Sequence, residues 1–152
     1  MDDIRGRVRV GVIGGSRPGK TAIRAAETVG RLVAERGGVV VCGGLGGVME
    51  AACRGAREAG GLAIGILPGD DPAAANAFVD IPVATGLGYT RNSLVALNAD
   101  VLIAIDGEYG TLSEIAYGII YGKKVIGLGT WEVDGVVPAG TPEEAVDLAF
   151  KR

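Results

Sequence analysis

The stretch from Asp100 to Gly118 constrains this chain more than any other. Val101 to Ile105 is an unbroken apolar run, the pattern of a strand buried on both faces of a parallel sheet. Asp106-Gly107-Glu108-Tyr109-Gly110 reads as a tight glycine-containing turn. Thr111-Leu112-Ser113-Glu114 then opens a helix, in which Leu112, Ile115, Ala116 and Ile119 share one apolar face at i, i+3, i+4 and i+7. A strand that passes through glycines into a helix leaves bare backbone N–H groups at a sheet edge. The helix dipole adds partial positive charge there, so a phosphate is the natural guest.

The same unit recurs along the chain. Val8 to Ile13 reads as a strand, followed by Gly14-Gly15-Ser16-Arg17-Pro18-Gly19 and a helix from about Thr21 to Glu35, with Ile23, Ala26, Val29 and Val33 inward. Val39 to Cys42 is a second strand; Gly43-Gly44-Leu45-Gly46-Gly47 leads into a helix to about Ala59, with Met49, Ala52, Cys53 and Ala56 inward. Leu62 to Leu67 is a third. Asp70 to Ala77 is loop, Phe78 to Val83 a short strand weakened by Pro82, and Tyr89 to Asn98 a helix with Arg91 near its start. Val125 to Leu128 reads as the last strand, and Thr141-Pro142-Glu143-Glu144 starts a final helix with a capping box. Alternating strands and helices with right-handed crossovers imply an α/β, Rossmann-like, doubly wound and mostly parallel sheet, one domain over residues 1–152. Ligands bind such sheets at the carboxyl ends of the strands, where the winding direction reverses. Four loops meet there, at Gly14–Gly19, Gly43–Gly47, Thr85–Arg91 and Asp106–Thr111.

Composition narrows the chemistry. The 152 residues are 48% hydrophobic and 22% charged, the balance of a globular chain with a real core. A net charge of −3 argues against a nucleic-acid surface, which selects for basic patches. No apolar run reaches the roughly 20 residues of a membrane span, and the polar start of the chain lacks a secretory core, so the expected location is the cytoplasm. The chain has no histidine, which removes Ser-His-Asp and Cys-His nucleophile systems and His-ligated metals. Cys42 and Cys53 match no metal spacing and read as reduced core residues, so no metal is expected.

Each motif has a plainer reading. Gly14 to Thr21 fits the phosphate-loop pattern that places Lys20 on phosphates and Thr21 on Mg²⁺, with Asp106 posing as the second acid. That pattern also arises by chance at strand–helix turns, and a P-loop ATPase would leave the glycine loops at 43 and 107 without a role. The dinucleotide fingerprint fails, because Ser16 stands where its second glycine belongs. Thr111 and Glu114 form a capping-box pattern, which residue chemistry alone favours over catalysis. Arg91 is by default a solvated helix residue, and Glu50 a first-turn partner of the helix dipole.

Read together, Gly43-Gly44-Leu45-Gly46-Gly47-Val48-Met49-Glu50-Ala51-Ala52, Gly60-Gly61, and Ile64 to Pro68 resemble the first half of the Lonely Guy (LOG) family, once mislabelled as lysine decarboxylases. Arg91 and Asp106-Gly107-Glu108-Tyr109-Gly110-Thr111-Leu112-Ser113-Glu114 resemble that family's arginine and its P-G-G-x-G-T-x-x-E signature; the likeness runs from about residue 8 to 130. It implies a homodimer that hydrolyses the N-glycosidic bond of a nucleoside 5′-monophosphate, with Arg91 and Glu114 as the catalytic pair and the phosphate held by Gly107, Gly110 and Thr111. Gly14, Ser16, Gly43, Gly44, Gly46 and Gly47 join the expected phosphate and nucleotide site, with Met49, Glu50 and Asn92 as further ligand contacts. Asp106 and Glu108 depart from the signature, and two carboxylates beside a dianion repel it unless their side chains point away. Asn92 replaces the family's usual lysine. Arg91-Asn92 and Gly110 to Ala116 resemble most closely a LOG-like branch that includes molybdenum cofactor carrier proteins, which bind a phosphorylated pterin and are oligomeric.

The resulting expectation is a nucleotide-binding protein, foremost a phosphoribohydrolase that needs no cofactor. Its transition state would be an oxocarbenium-like ribose stabilised by the Glu114 carboxylate. The alternative is a non-catalytic molybdenum cofactor carrier, with a P-loop ATPase a minor third. In each case the ligand is a phosphate-bearing small molecule and the protein a homo-oligomer, with no nucleic-acid or membrane partner.

Overall fold

A computed structural model describes residues 3–151; Met1, Asp2 and Arg152 of the expected domain lie outside the described residues. Seven strands form one sheet: β1 (Arg9–Gly14), β2 (Val39–Cys42), β3 (Leu62–Leu67), β4 (Ile81–Ala84), β5 (Val101–Ile105), β6 (Lys124–Leu128) and β7 (Val136–Pro138). All pair in parallel, in the spatial order β4-β3-β2-β1-β5-β6-β7. The fold is therefore the expected α/β doubly wound sheet, and the winding reverses between β1 and β5. Every residue of β5 is buried, as its unbroken apolar run requires. Both edge strands carry proline, Pro82 in β4 and Pro138 in β7, where a missing N–H costs no ladder bond and discourages edge pairing.

The helices are α1 (Lys20–Glu35), α2 (Val48–Glu58), α3 (Asn92–Asn98), α4 (Tyr109–Ile120) and α5 (Pro142–Phe150). One core unites α1, α2 and α5 with one sheet face; the other places α3 and α4 against the opposite face. α1 and α2 touch almost backbone to backbone. A Cβ on Gly30 would lie 2.0 Å from the Ala52 carbonyl oxygen, and one on Gly55 2.0 Å from that of Glu27. The sequence places Gly30 outside the inner face of α1; its burial comes from this close approach.

Five local expectations are corrected. Val125–Leu128 is not the last strand: β7 follows, too short and proline-ended to show a period. Phe78 to Asp80 precede β4, which spans only Ile81–Ala84, and the segment before α3 is a 3-10 turn, Gly88–Arg91. The Thr111–Glu114 cap does not exist, because α4 begins two residues earlier, at Tyr109, after an uncapped Glu108. Finally, the buried face of α4 is Thr111, Glu114, Ile115 and Gly118, while Ala116 is exposed. The spacing is still i, i+3, i+4 and i+7, but its phase is one residue earlier. Gly118 sets that phase: a Cβ there would meet the Leu102 side chain at 2.3 Å, so the bare helix surface docks on β5. At α5 the expected cap is present, with Thr141 Oγ1 accepting from the Glu144 N–H at 3.1 Å. The Glu144 carboxylate accepts from the Gly140 N–H at 2.8 Å, one residue before the cap.

Candidate functional site

A crevice of about 640 Å³ opens at the carboxyl ends of β1 and β5, the point where the winding reverses. Its walls come from separate parts of the chain. Gly14, Gly15 and Ser16 end β1; Leu45 and Met49 flank the start of α2; Tyr89, Arg91 and Asn92 lead into α3. Glu108 through Thr111, with Ser113 and Glu114, form the start of α4. The phase shift of α4 therefore has a chemical consequence: it turns Thr111 and Glu114 inward, leaving them 3% and 7% exposed.

Arg91 is also buried, at 7% exposure, which corrects the reading of a solvated helix residue. Its Nε donates to the Ile66 carbonyl at 2.8 Å and its Nη2 to the Gly43 carbonyl at 3.3 Å. Nη1 donates to the Asn92 side-chain oxygen. The guanidinium thus ties the ends of β2 and β3 to the start of α3. Asn92 carries the tie onward, donating to Ser113 Oγ at 3.1 Å and to the Gly110 carbonyl at 3.4 Å.

Glu114 differs. Its carboxyl group makes no hydrogen bond and no ion pair with any described residue. No fully buried side-chain oxygen lacks a partner in the described structure, so the Glu114 oxygens must reach the crevice. Burial pushes its pKa up from 4.5 to about 8, against the pull of the nearby Arg91 charge. Near neutral pH Glu114 is thus mainly a neutral acid, one donor and one acceptor facing the crevice. Burial correspondingly pushes the Arg91 guanidinium below its usual range, with the Glu114 charge opposing.

At the start of α4 the first backbone N–H groups have no preceding turn to bond, and they lie beside the crevice. The bend before them is demanding. Asp106 takes a left-handed φ of 53° and Gly107 a φ of 103°. A Cβ on Gly107 would sit 2.3 Å from Thr111 Oγ1, so only glycine lets the turn fold over Thr111.

Of the residues singled out in the sequence, Gly14, Ser16, Met49, Arg91, Asn92, Gly110, Thr111 and Glu114 border this one crevice. Gly43, Gly44, Gly46, Gly47, Gly107 and Glu50 do not. Gly43 stands behind Arg91 as its carbonyl acceptor, and Gly107 shapes the turn. At the start of α2, just after the Gly43–Gly47 loop, the Val48 N–H is taken by the Gly15 carbonyl at 3.1 Å. Asp106 stays off the crevice, whereas Glu108, expected to turn away, borders it. Lys20 and Thr21 are exposed and outside it, so the two residues that would hold phosphate and Mg²⁺ in the P-loop pattern do not reach the site, although Gly14 and Ser16 of that stretch border it.

Sequence reasoning missed Gly15, Leu45, Tyr89, Tyr109 and Ser113. Tyr89 and Tyr109 each lie within two residues of a flagged position, and that proximity was the available signal. Among the described residues no group of three or more His, Cys, Asp or Glu could hold a metal ion, and no helix is long and apolar enough to cross a membrane.

The chain is 44% identical over 144 residues to an uncharacterised protein of Archaeoglobus fulgidus, spanning 94% of this chain and 95% of that one. It is 33% identical over 135 residues to a probable cytokinin riboside 5′-monophosphate phosphoribohydrolase of Oryza sativa, spanning 84% of this chain but only 55% of the rice protein. Among solved structures, the molybdenum cofactor binding protein of Rippkaea orientalis superposes with a TM-score of 0.89 at 36% identity, over 95% of this chain and 96% of that one. The molybdenum cofactor carrier protein of Chlamydomonas reinhardtii superposes with a TM-score of 0.86 at 33% identity, over 93% and 95% of the two chains. A family model matches residues 7–149, and the chain belongs to the SLOG cluster4 family.

Proposed function

We propose that this protein binds a phosphorylated pterin of the molybdenum cofactor type in the Arg91–Glu114 crevice and carries it without turnover. The observation that carries the reading is the state of the two charged residues. A phosphoribohydrolase of the expected kind needs an anionic Glu114 against the ribose cation and an Arg91 free to engage the substrate. Here Glu114 holds its proton to about pH 8, and three nitrogens of Arg91 are engaged by Ile66, Gly43 and Asn92. Such a pair suits recognition: a rigid tie beside an acid that offers a donor and an acceptor. The phosphate would meet the N–H groups that open α4 and the Ser16 and Thr111 hydroxyls. The end-to-end likeness to two proteins named for the molybdenum cofactor supports the same reading.

Hydrolysis is the second reading, favoured by one specific feature. A buried carboxylic acid protonated near neutral pH is what protonation of a departing base requires. Incubating the protein with AMP, GMP, CMP and UMP and assaying free base by chromatography separates the two. The carrier reading predicts no base above the protein-free control, whereas release that Glu114→Gln abolishes would establish the hydrolase.

We further propose a homodimer through the α3/α4 side of the sheet. Ile81 and Val83 of β4, Leu97 of α3 and Ile120 of α4 are exposed by 45%, 42%, 50% and 71%. Light scattering that gives a monomer mass at micromolar concentration would refute it.

A further inference from the structure

The two most exposed large hydrophobic side chains of the described structure are Tyr89 at 89% and Tyr109 at 80%, and both border the crevice. An aromatic ring is costly to leave in water, and two at one cleft call for something to cover them. We propose that Tyr89 and Tyr109 receive the planar heterocycle of the phosphorylated ligand by stacking, and so select ring-bearing phosphates over ringless ones. This rests on the phosphate-binding reading of the crevice and adds which residues recognise the rest of the molecule.

Both tyrosines are mounted on fixed backbone. Tyr109 opens α4, and its ring lies 5.8 Å from that of Trp131 at an angle of 33°. Trp131 is itself tied down, its Nε1 donating to the Glu108 carbonyl at 3.0 Å. Thr130 Oγ1 donates to the Asp106 carbonyl at 2.7 Å, which pins the loop after β6 to the turn before α4. Tyr109 is therefore buttressed on one side and open on the crevice side. Tyr89 sits in the turn Gly88–Arg91, two residues before the guanidinium that grips the Ile66 and Gly43 carbonyls. Held this way, the Tyr109 ring loses little freedom when a flat ligand arrives, and Tyr89 is carried to the crevice on an anchored turn.

A second observation indicates a heterocycle in place of an aliphatic group. The unpartnered Glu114 carboxyl borders the same crevice and can bond the N–H and ring-nitrogen edge of a pterin or purine, which an alkyl chain lacks. Stacking reads the face and Glu114 the edge, while α4 holds the phosphate.

The test is calorimetric titration of wild type, Tyr89→Ala, Tyr109→Ala and Tyr109→Phe with GMP, neopterin monophosphate and ribose 5-phosphate. Light scattering is run on every variant. We expect wild type to bind at least one ring-bearing phosphate about tenfold or more tighter than ribose 5-phosphate, the scale of one base stacked on one aromatic side chain. Each alanine variant should lose most of that preference, keep its ribose 5-phosphate affinity within about twofold, and stay in the wild-type oligomeric state, while phenylalanine restores binding. Alanine variants that keep the preference overturn the proposal. So does an equal loss for ring-bearing and ringless phosphates, or a changed oligomeric state with unchanged binding, which would make the tyrosines a contact between copies. If wild type binds none of the three, the phosphate-binding reading fails, and this proposal with it.

Discussion

Replacing Glu114 by glutamine should make the protein progressively more stable than wild type as pH rises from about 4.5 to 8. Glu114 is 7% exposed, makes no protein hydrogen bond, and has its pKa raised to about 8 by burial. Below pH 4.5 the residue is protonated in both folded and unfolded chains, and its contribution to stability is fully present. Between pH 4.5 and 8 the unfolded chain releases the proton and the folded chain keeps it, so stability drains away; above about 8 the folded group ionises too and the loss levels off. A displacement of that size corresponds to at most roughly 5 kcal/mol. Water entering the crevice lowers this, and we expect about 2–3 kcal/mol. The amide of the glutamine variant cannot ionise and so escapes this loss. For a chain of this length the melting-temperature gap between E114Q and wild type should widen by about 5–10 °C across that range. Differential scanning calorimetry at half-unit steps from pH 4.5 to 9 reads it directly. A gap that stays constant across the range would mean that Glu114 ionises like an exposed carboxylate, and the argument for a neutral acid in the crevice would be wrong.

Gly30→Val should destabilise the fold by about 3 kcal/mol or more, because the new side chain would drive into the backbone of α2 at Ala52; urea denaturation measures it. Lys20→Ala should leave phosphate and nucleotide affinity within about twofold, since Lys20 is exposed and off the crevice; a tenfold loss by calorimetry would revive the P-loop reading. Asp106→Gly should keep the fold, because glycine accepts the left-handed φ of 53° more readily than aspartate. Removing that exposed carboxylate beside the turn should also tighten binding of inorganic phosphate by about two- to fivefold at low salt.

Much of the fold is local and was therefore legible. β3 and β5 match their apolar runs residue for residue, and β5, buried on both faces, leaves no alternation to misread. The glycine loops located the sheet edge that bears the crevice. What escaped depends on contacts between distant segments. The phase of α4 is set by Gly118 against Leu102, and hydrophobic periodicity, which counts bulk, does not register a helix that docks through a missing side chain. Arg91 is buried because the Ile66 and Gly43 carbonyls, 25 and 48 residues away, are there to receive it. Trp131 acts on the site only through the Glu108 carbonyl and the Tyr109 ring, a pairing made by β6 lying beside β5. The raised pKa of Glu114 follows from the same phase shift that removes the cap and buries its carboxyl group.

Whether the crevice carries a phosphorylated pterin can be read by native mass spectrometry of the protein purified from cells that make molybdenum cofactor. An intact phosphorylated pterin should be found bound to the folded protein, and should be lost in a Gly107→Val variant whose turn can no longer close over Thr111. Wild-type protein that emerges free of any phosphorylated heterocycle, or a Gly107→Val variant that folds and retains the pterin, would contradict the carrier reading.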